Sequence, residues 1–284
     1  MNMTAFALTV GATFFWGFSL DIAKLCTGKI NAITFNAIQY SVLAVVMTPL
    51  VLLTGINVGS TWAIVMAVAF GVSWLFAGSQ IFYYCLECAP AYVVVPVSNI
   101  SSIWGVFFAA LILNERIGPA IPVSLALIVV GIVLLIPKVG RKSGPPLAIL
   151  LSVLVAMMFG LTQIARKSAM MSGIGALTFV WISALTGASL LCMTALLRSS
   201  FRGQKPDRFS FGISVSAGLL NQLVGGALYL LALSMEQASS LAPVTSAVIP
   251  FGFLLSIPLL HERPSKKAMA GVVAIFLGVI VATL

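Results

Sequence analysis

Residues 95–116 read VPVSNISSIWGVFFAALILNER, and residues 242–263 read APVTSAVIPFGFLLSIPLLHER. Laid over one another with a shift of 147 positions, they match at Pro96 and Pro243, Val97 and Val244, Gly105 and Gly252, Glu115 and Glu262, and Arg116 and Arg263. The same register carries outward to Gly78 with Gly225, Leu86 with Leu233 and Gly131 with Gly278. Apolar composition alone does not align Pro and Glu-Arg. A shift of 143 pairs the earlier residues, Gly17 with Gly160 and Lys24 with Lys167, and sets Trp16 opposite Phe159. The four-residue change falls in the longer connection around Arg198 to Arg208. The chain therefore reads as a duplication, with one copy in residues 1–140 and the other in 141–284.

Each copy is built for a membrane. Of 284 residues 61% are apolar and 7% charged, with a mean hydropathy of +1.15, which excludes a water-soluble fold, for which about 25% charge is usual. A helix needs roughly 20 residues to cross about 30 Å of hydrocarbon. Ten stretches qualify: Thr4–Ala23, Ile33–Leu53, Thr61–Tyr84, Ala91–Leu113, Ala120–Pro137, Leu147–Ala165, Gly175–Leu197, Phe211–Leu233, Ser240–Leu260 and Ala268–Leu284. The short connections between them leave no room for a soluble domain or an ATPase. The first stretch lacks a cleavage pattern and reads as a retained span. The fold expected is an all-α membrane protein of ten transmembrane helices in two five-helix repeats. Because five is odd, the second repeat enters the membrane from the opposite side, the inverted arrangement of alternating-access transporters.

The net charge of +9 raises the question of a nucleic-acid partner, and the placement of the charges answers it. Lys and Arg lie almost wholly in the connections, where they act as topology signals. One set of alternate connections holds Lys24, Lys29, Lys138, Arg141, Lys142, Arg198, Arg202, Lys205, Arg208, Arg263, Lys266 and Lys267; the other holds Arg116, Arg166 and Lys167. Twelve against three puts the first set in the cytoplasm and both termini outside, in the inner membrane if the source is bacterial. The partners expected are the lipid bilayer and a small-molecule substrate, with no nucleic acid and a functional monomer.

A side-chain amide in hydrocarbon costs a few kcal/mol unless paired, so a mid-span Asn or Gln faces either a protein partner or a water-filled cavity. Asn36 and Gln39 stand i,i+3 on the second span, Asn99 and Ser102 i,i+3 on the fourth, and Gln163 lies one turn from Phe159 on the sixth. On the eighth, Asn221 and Gln222 occur together, with Gln222, Gly225 or Gly226, and Tyr229 along one face. Trp16, Trp74, Trp104 and Trp181 lie inside their spans rather than at the interfacial belts, where Trp anchors. An indole in mid-membrane can stack on a ligand and still donate one hydrogen bond. The expected substrate-binding set is Trp16, Asn36, Gln39, Trp74, Asn99, Gln163, Trp181, Asn221, Gln222 and Tyr229. Pro96 and Pro243 each delete a helical hydrogen bond and are expected to bend matching spans.

The few charges speak to mechanism. Asp21 and Lys24 are close enough to pair at a helix end. Alternatively, Lys24 and its repeat mate Lys167, helped by Arg166, grip an anion. Glu87 and Glu236 begin connections and Glu115 and Glu262 lie in turns, so no carboxylate occupies the middle of a span. That disfavours proton-coupled expulsion of lipophilic cations. His261 is the only histidine, and Cys85 and Cys88 form a lone pair without a second one, so neither a metal site nor a cofactor site is expected. No nucleotide-binding, nucleophile-elbow or paired-carboxylate pattern occurs, so no catalytic residues are assigned and an enzyme is not expected.

Together the aromatic-glycine steps Phe15-Trp16-Gly17 and Met158-Phe159-Gly160, the proline helices and the acidic turns Asn114-Glu115-Arg116 and His261-Glu262-Arg263 resemble the drug/metabolite transporter superfamily, specifically its ten-span EamA-type members. The resemblance covers essentially the whole chain. It implies a cavity ringed by spans 1, 3, 4, 6, 8 and 9, gating by spans 2 and 7, and peripheral spans 5 and 10. It also implies transport of a small metabolite, the family's cargoes including amino acids, nucleotide sugars, sugar phosphates and choline. Eukaryotic relatives keep their termini in the cytosol, against the charge count, which is retained here. The reading reached is a facilitator or exporter of an amino acid or another neutral or zwitterionic solute. The rivals are an exchanger of carboxylated or phosphorylated metabolites, a polyspecific drug exporter, and a membrane enzyme or scaffold without transport.

Overall fold

A computed structural model describes residues 1–26, 29–89, 91–136, 145–197, 206–260 and 265–284. His261, Glu262 and Arg263 therefore lie outside the described residues, as do Lys138, Arg141, Lys142, Arg198, Arg202 and Lys205 of the charge count. The described residues form helices and connections, with no strand among them. In chain order the helices are α1 Met3–Lys24, α2 Ala32–Thr54, α3 Thr61–Cys88, α4 Val93–Ile112, α5 Ala120–Leu135, α6 Pro146–Met171, α7 Ala176–Leu197, α8 Arg208–Met235, α9 Ala238–Leu259 and α10 Lys266–Val281. Their starts follow local chemistry: Asn2, Asn31, Ser60, Asp207 and Ser265 accept from backbone N–H groups of the first turn, the donors a helix cannot satisfy itself.

Eight helices among the described residues are long and apolar enough to cross a membrane. Their outer faces carry exposed Val45, Leu53, Leu111, Leu150 and Leu196, a surface that only lipid can cover without penalty. The protein is an integral multi-pass membrane protein. Helices α5 and α10 are shorter, 16 residues each, or about 24 Å at about 1.5 Å per residue. They end and begin earlier than the stretches expected at Ala120–Pro137 and Ala268–Leu284. The two pack on one another closely: the Ser124 hydroxyl donates to the Gly278 carbonyl at 2.7 Å, and a Cβ at Gly131 would stand 2.6 Å from the Gly271 carbonyl.

Packing joins the front of one copy to the back of the other. Gly17 on α1 meets Gly252 on α9, where an added Cβ would lie 2.8 Å from the Gly252 nitrogen; Gly160 on α6 meets Gly105 on α4, at 2.9 Å from its nitrogen. The partners of these contacts are the residues paired by the two sequence shifts, with roles exchanged. The α3 contact with α7 through Gly71 and Thr186 has its counterpart in the α8 contact with α2 through Gly218 and Gln39. One core cluster gathers around α1, α5, α8, α9 and α10, and a second around α2, α3 and α7.

Two irregularities recur in register. Residues Gly71–Gly78 of α3 and Leu219–Gly226 of α8 are π-helical, a wide turn that inserts a residue and turns a carbonyl out of the helical ladder. In α4 the helix breaks at residues 99–100, just after Pro96, and in α9 a 3₁₀ turn over Thr245–Ala247 follows Pro243. Each irregular turn lies within a few residues after a proline, which withholds its own donor from the turn before it.

The connections meet in two groups. At one end the Asn57 carbonyl accepts from Gly175 N–H at 2.9 Å and Ser60 N–H donates to Ser172 at 3.2 Å. There Gly59 (φ +61°) passes so near Ser172 and Gly173 that a side chain would collide. At the same end Glu115 accepts from Ala238 and Ser239 N–H groups at 3.0 and 2.7 Å. At the other end Ala32 N–H donates to Glu87 at 3.1 Å and the Lys29 ammonium sits 4.4 Å from the Phe209 ring centre.

Candidate substrate-binding cavity

A cavity of about 80 Å³ lies between the copies, in a cleft that opens to the surface. Its walls come from α1, α3, α4, α6, α8 and α9: Trp16, Trp74, Asn99, Phe159, Asn221 and Gln222 give it shape and polarity, and Leu20, Phe82, Ser98, Ser101, Val155, Arg166, Thr245 and Val248 complete it. Each irregular segment contributes to this lining. Trp74 belongs to the π turn of α3, Asn221 and Gln222 to that of α8, Asn99 to the break in α4 and Thr245 to the 3₁₀ turn of α9.

The indoles are seated by glycine. A Cβ at Gly225 would lie 2.6 Å from the Trp16 ring, and one at Gly78 would lie 2.6 Å from the Trp74 ring. The repeat pair Gly78 and Gly225, one from each half, therefore clears the seats of two tryptophans of the first half. Trp16 Nε1 donates to the backbone carbonyl of Asn221 at 2.9 Å, a main-chain acceptor within the widened turn. Phe159, the counterpart of Trp16, turns its ring onto Trp74 with centres 4.8 Å apart, and Trp16 and Phe159 meet edge to face at 6.2 Å.

The amides are held rather than adrift. Asn221 Nδ2 donates to Ser19 Oγ at 3.2 Å, and Gln222 Nε2 to Asn221 Oδ1 at 2.9 Å. Asn99 Nδ2 donates to the Val95 carbonyl at 2.8 Å. These contacts orient the groups and leave acceptor capacity on their carbonyl oxygens.

Of the residues expected at the site, Trp16, Trp74, Asn99, Asn221 and Gln222 come together in this lining. Tyr229 stands behind it, its ring 5.3 Å from that of Trp16. Gln163 is buried beside Gly105 with Oε1 unpartnered. Three others lie elsewhere in the packing. Asn36 is fully buried on α2, Gln39 lies against Gly218, and Trp181 donates to Thr48 Oγ1 at 3.0 Å between α7 and α2. The charged candidates are engaged outside the lining. Asp21 and Lys24 form an ion pair at 3.2 Å. The Lys167 ammonium donates to the Leu233 and Glu236 carbonyls at 2.8 and 2.7 Å, closing the end of α8 where helical carbonyls lack partners.

Arg166 was legible in sequence only as a helper of Lys167, yet it alone of the three basic candidates lines the cavity. Among the described residues it is the largest fully buried side chain, 2% exposed, and four aromatic rings surround its guanidinium. The residue's place next to Lys167 hid it, since one step along a helix turns a side chain by about 100°.

Among curated proteins no relative matches the chain. A solved crystal structure shares 20% identity, superposes over 100% of this chain and 97% of its own, and gives a TM-score of 0.80, which shows a common fold. The sequence profile of the EamA-like transporter family matches twice, over residues 3–136 and 146–284. With nearly its whole length matched by two copies of that profile, the chain belongs to the EamA-like transporter family, within the drug/metabolite transporter superfamily.

Proposed function

We propose that this protein carries a small metabolite across the membrane by alternating access, its halves 1–140 and 141–284 acting as inverted five-helix repeats that rock about the central cavity. The observation that carries the reading is the composition of the cavity wall. Both halves supply it through equivalent parts, the π turns of α3 and α8 and the proline-linked breaks of α4 and α9. Such irregular turns hold fewer ladder hydrogen bonds and bend where a regular helix resists.

The exchanged glycine contacts, Gly17 on Gly252 and Gly160 on Gly105, favour two conformations related by swapping the roles of the halves. Ten crossings agree with the connections, because every cross-connection hydrogen bond described above joins loops that alternate crossings place at the same end. With the Lys/Arg-rich end in the cytoplasm, Leu20, Phe82 and Ser98 of the lining lie nearest that end of α1, α3 and α4. The cavity then reaches toward the inner face along these three helices.

The cargo is a small organic solute, an amino acid or a similarly sized metabolite, bound by Trp16 and Trp74 through ring contact and by Asn99, Asn221 and Gln222 through hydrogen bonds. Pro96 and Pro243 serve as bends. An anion grip by Lys24 and Lys167 gains no support, since each already has protein partners. The test is uptake by proteoliposomes from a metabolite library, repeated with Trp74→Ala, Asn99→Ala and Gln222→Ala. At least a tenfold fall for the best substrate in each variant is expected. Unchanged uptake in all three would refute the site, and failure to move any solute would refute transport.

A further inference from the structure

We infer that Arg166 is a carboxylate anchor and that the cavity selects organic monoanions with a flat apolar body. The inference rests on the transport cavity proposed above and narrows its cargo. Arg166 is 2% exposed, yet its Nε and Nη1 have no hydrogen-bond partner. Its carbon Cζ stands 4.4 Å from the Phe70 ring centre, 5.6 Å from Tyr229, 5.7 Å from Trp16 and 5.9 Å from Phe159. Aromatic faces attract the cation but accept little from in-plane N–H donors, so they leave the guanidinium's hydrogen-bonding edge unused. A buried cation normally has a buried anion beside it. Here, among the described residues, no carboxylate comes within 4.0 Å of Arg166.

The described carboxylates have other work. Asp21 pairs with Lys24; Glu87 accepts from Ala32, Glu115 from Ala238 and Ser239, Asp207 from Ser210, and Glu236 from Asn2 and Gln237. With no such partner among the described residues, a ligand carboxylate entering the cavity would supply the counter-charge. A guanidinium matches a carboxylate through two parallel hydrogen bonds. One unopposed cation calls for one negative charge, and no acidic group lines the cavity to receive a substrate ammonium. Trp16, Trp74 and Phe159 then offer ring surfaces to the rest of the molecule. For an amino-acid cargo, the carboxylate is thus the required group and the ammonium is dispensable.

The test uses phenylacetate, 2-phenylethanol and phenethylamine, which share a ring and stem and differ in charge. Binding to the full-length protein in detergent is followed by isothermal titration at neutral pH. Phenylacetate should bind at least tenfold tighter than the alcohol, with the amine weakest; Arg166→Gln should erase the preference and Arg166→Lys should keep part of it. Equal binding of acid and alcohol to the unmodified protein would overturn the inference, as would a preference that survives in Arg166→Gln. The unmodified series decides the matter even if Arg166→Gln fails to fold. Selective binding of phenylacetate without transport of any solute would leave the anchor standing and refute transport. Transport of a library solute without any charge preference would do the reverse.

Discussion

The first helices of the two halves, α1 and α6, occupy equivalent places and carry different chemistry. Each crosses a glycine of the other half, and each presents an aromatic ring, Trp16 or Phe159, toward the cavity. By the 143-residue shift, however, Asp21 corresponds to Ile164 and Ala23 to Arg166. The first half pairs its acid with Lys24 at 3.2 Å; the second carries isoleucine in the acid's place and an arginine with no partner carboxylate among the described residues. The same contrast separates Trp74 in α3 from Asn221 in α8, which align at a shift of 147 and both line the cavity. The two copies share a scaffold and differ in the side chains that they place on the cavity wall at these positions.

If the glycine crossings are the shared scaffold, then enlarging either should hurt equally. Gly17→Leu and Gly160→Leu would each drive a side chain into backbone, at Gly252 or at Gly105, which cannot yield as a flexible side chain does. We expect each to cost about 3 kcal/mol or more, seen as a large fall in the thermal unfolding midpoint in detergent. A severe effect at one glycine and none at the other would break the equivalence.

Making the first half resemble the second is gentler. Trp16→Phe installs the residue found at position 159 and removes the 2.9 Å hydrogen bond to the Asn221 carbonyl. The expected loss is about 1 kcal/mol of stability, with weaker substrate binding measured by the same titration. An unaltered unfolding midpoint would show that the indole N–H is not needed to hold α1 against the π turn of α8.

The smallest effect concerns the end where Glu236 receives the N–H groups of Asn2 and Gln237. Burial by itself would raise this carboxyl, but those two donors, aided by the N-terminal charge and Lys167, hold it below its usual 4.5. A carboxylate with a depressed folded value adds stability that is complete above the unfolded value and is lost as pH falls through the folded one. The unfolding midpoint should therefore decline below about pH 4.5, and Glu236→Gln should lower it near neutrality while flattening the decline. Identical acid profiles for the two proteins would remove Glu236 from the stabilising contacts.

Much of this fold is legible in the sequence. Apolar stretches near twenty residues leave a chain few options in lipid, because every backbone polar group must be satisfied within the helix. The pairs Pro96–Pro243 and Gly78–Gly225 exposed the duplication, and the glycines' contacts with Trp74 and Trp16 account for the second. Five of the ten expected site residues converge on the cavity. The π turns were not legible, since Gly71 and Gly226 look like ordinary packing glycines in a string. Nor could residue type separate Asn99, which lines the cavity, from Asn36, which is buried elsewhere on α2, as a buried amide looks the same in sequence whichever surface it faces.

Residues 166 and 167 mark the boundary between the two kinds of information. That a basic pair stands near the end of a span is a matter of sequence alone. Which of the two reaches the Leu233 and Glu236 carbonyls and which lies among Phe70, Tyr229 and Trp16 depends on the rotation of α6 about its axis. Contacts with α3, α4 and α8 set that rotation, and those contacts join residues distant in the chain, so only the packed bundle could decide it.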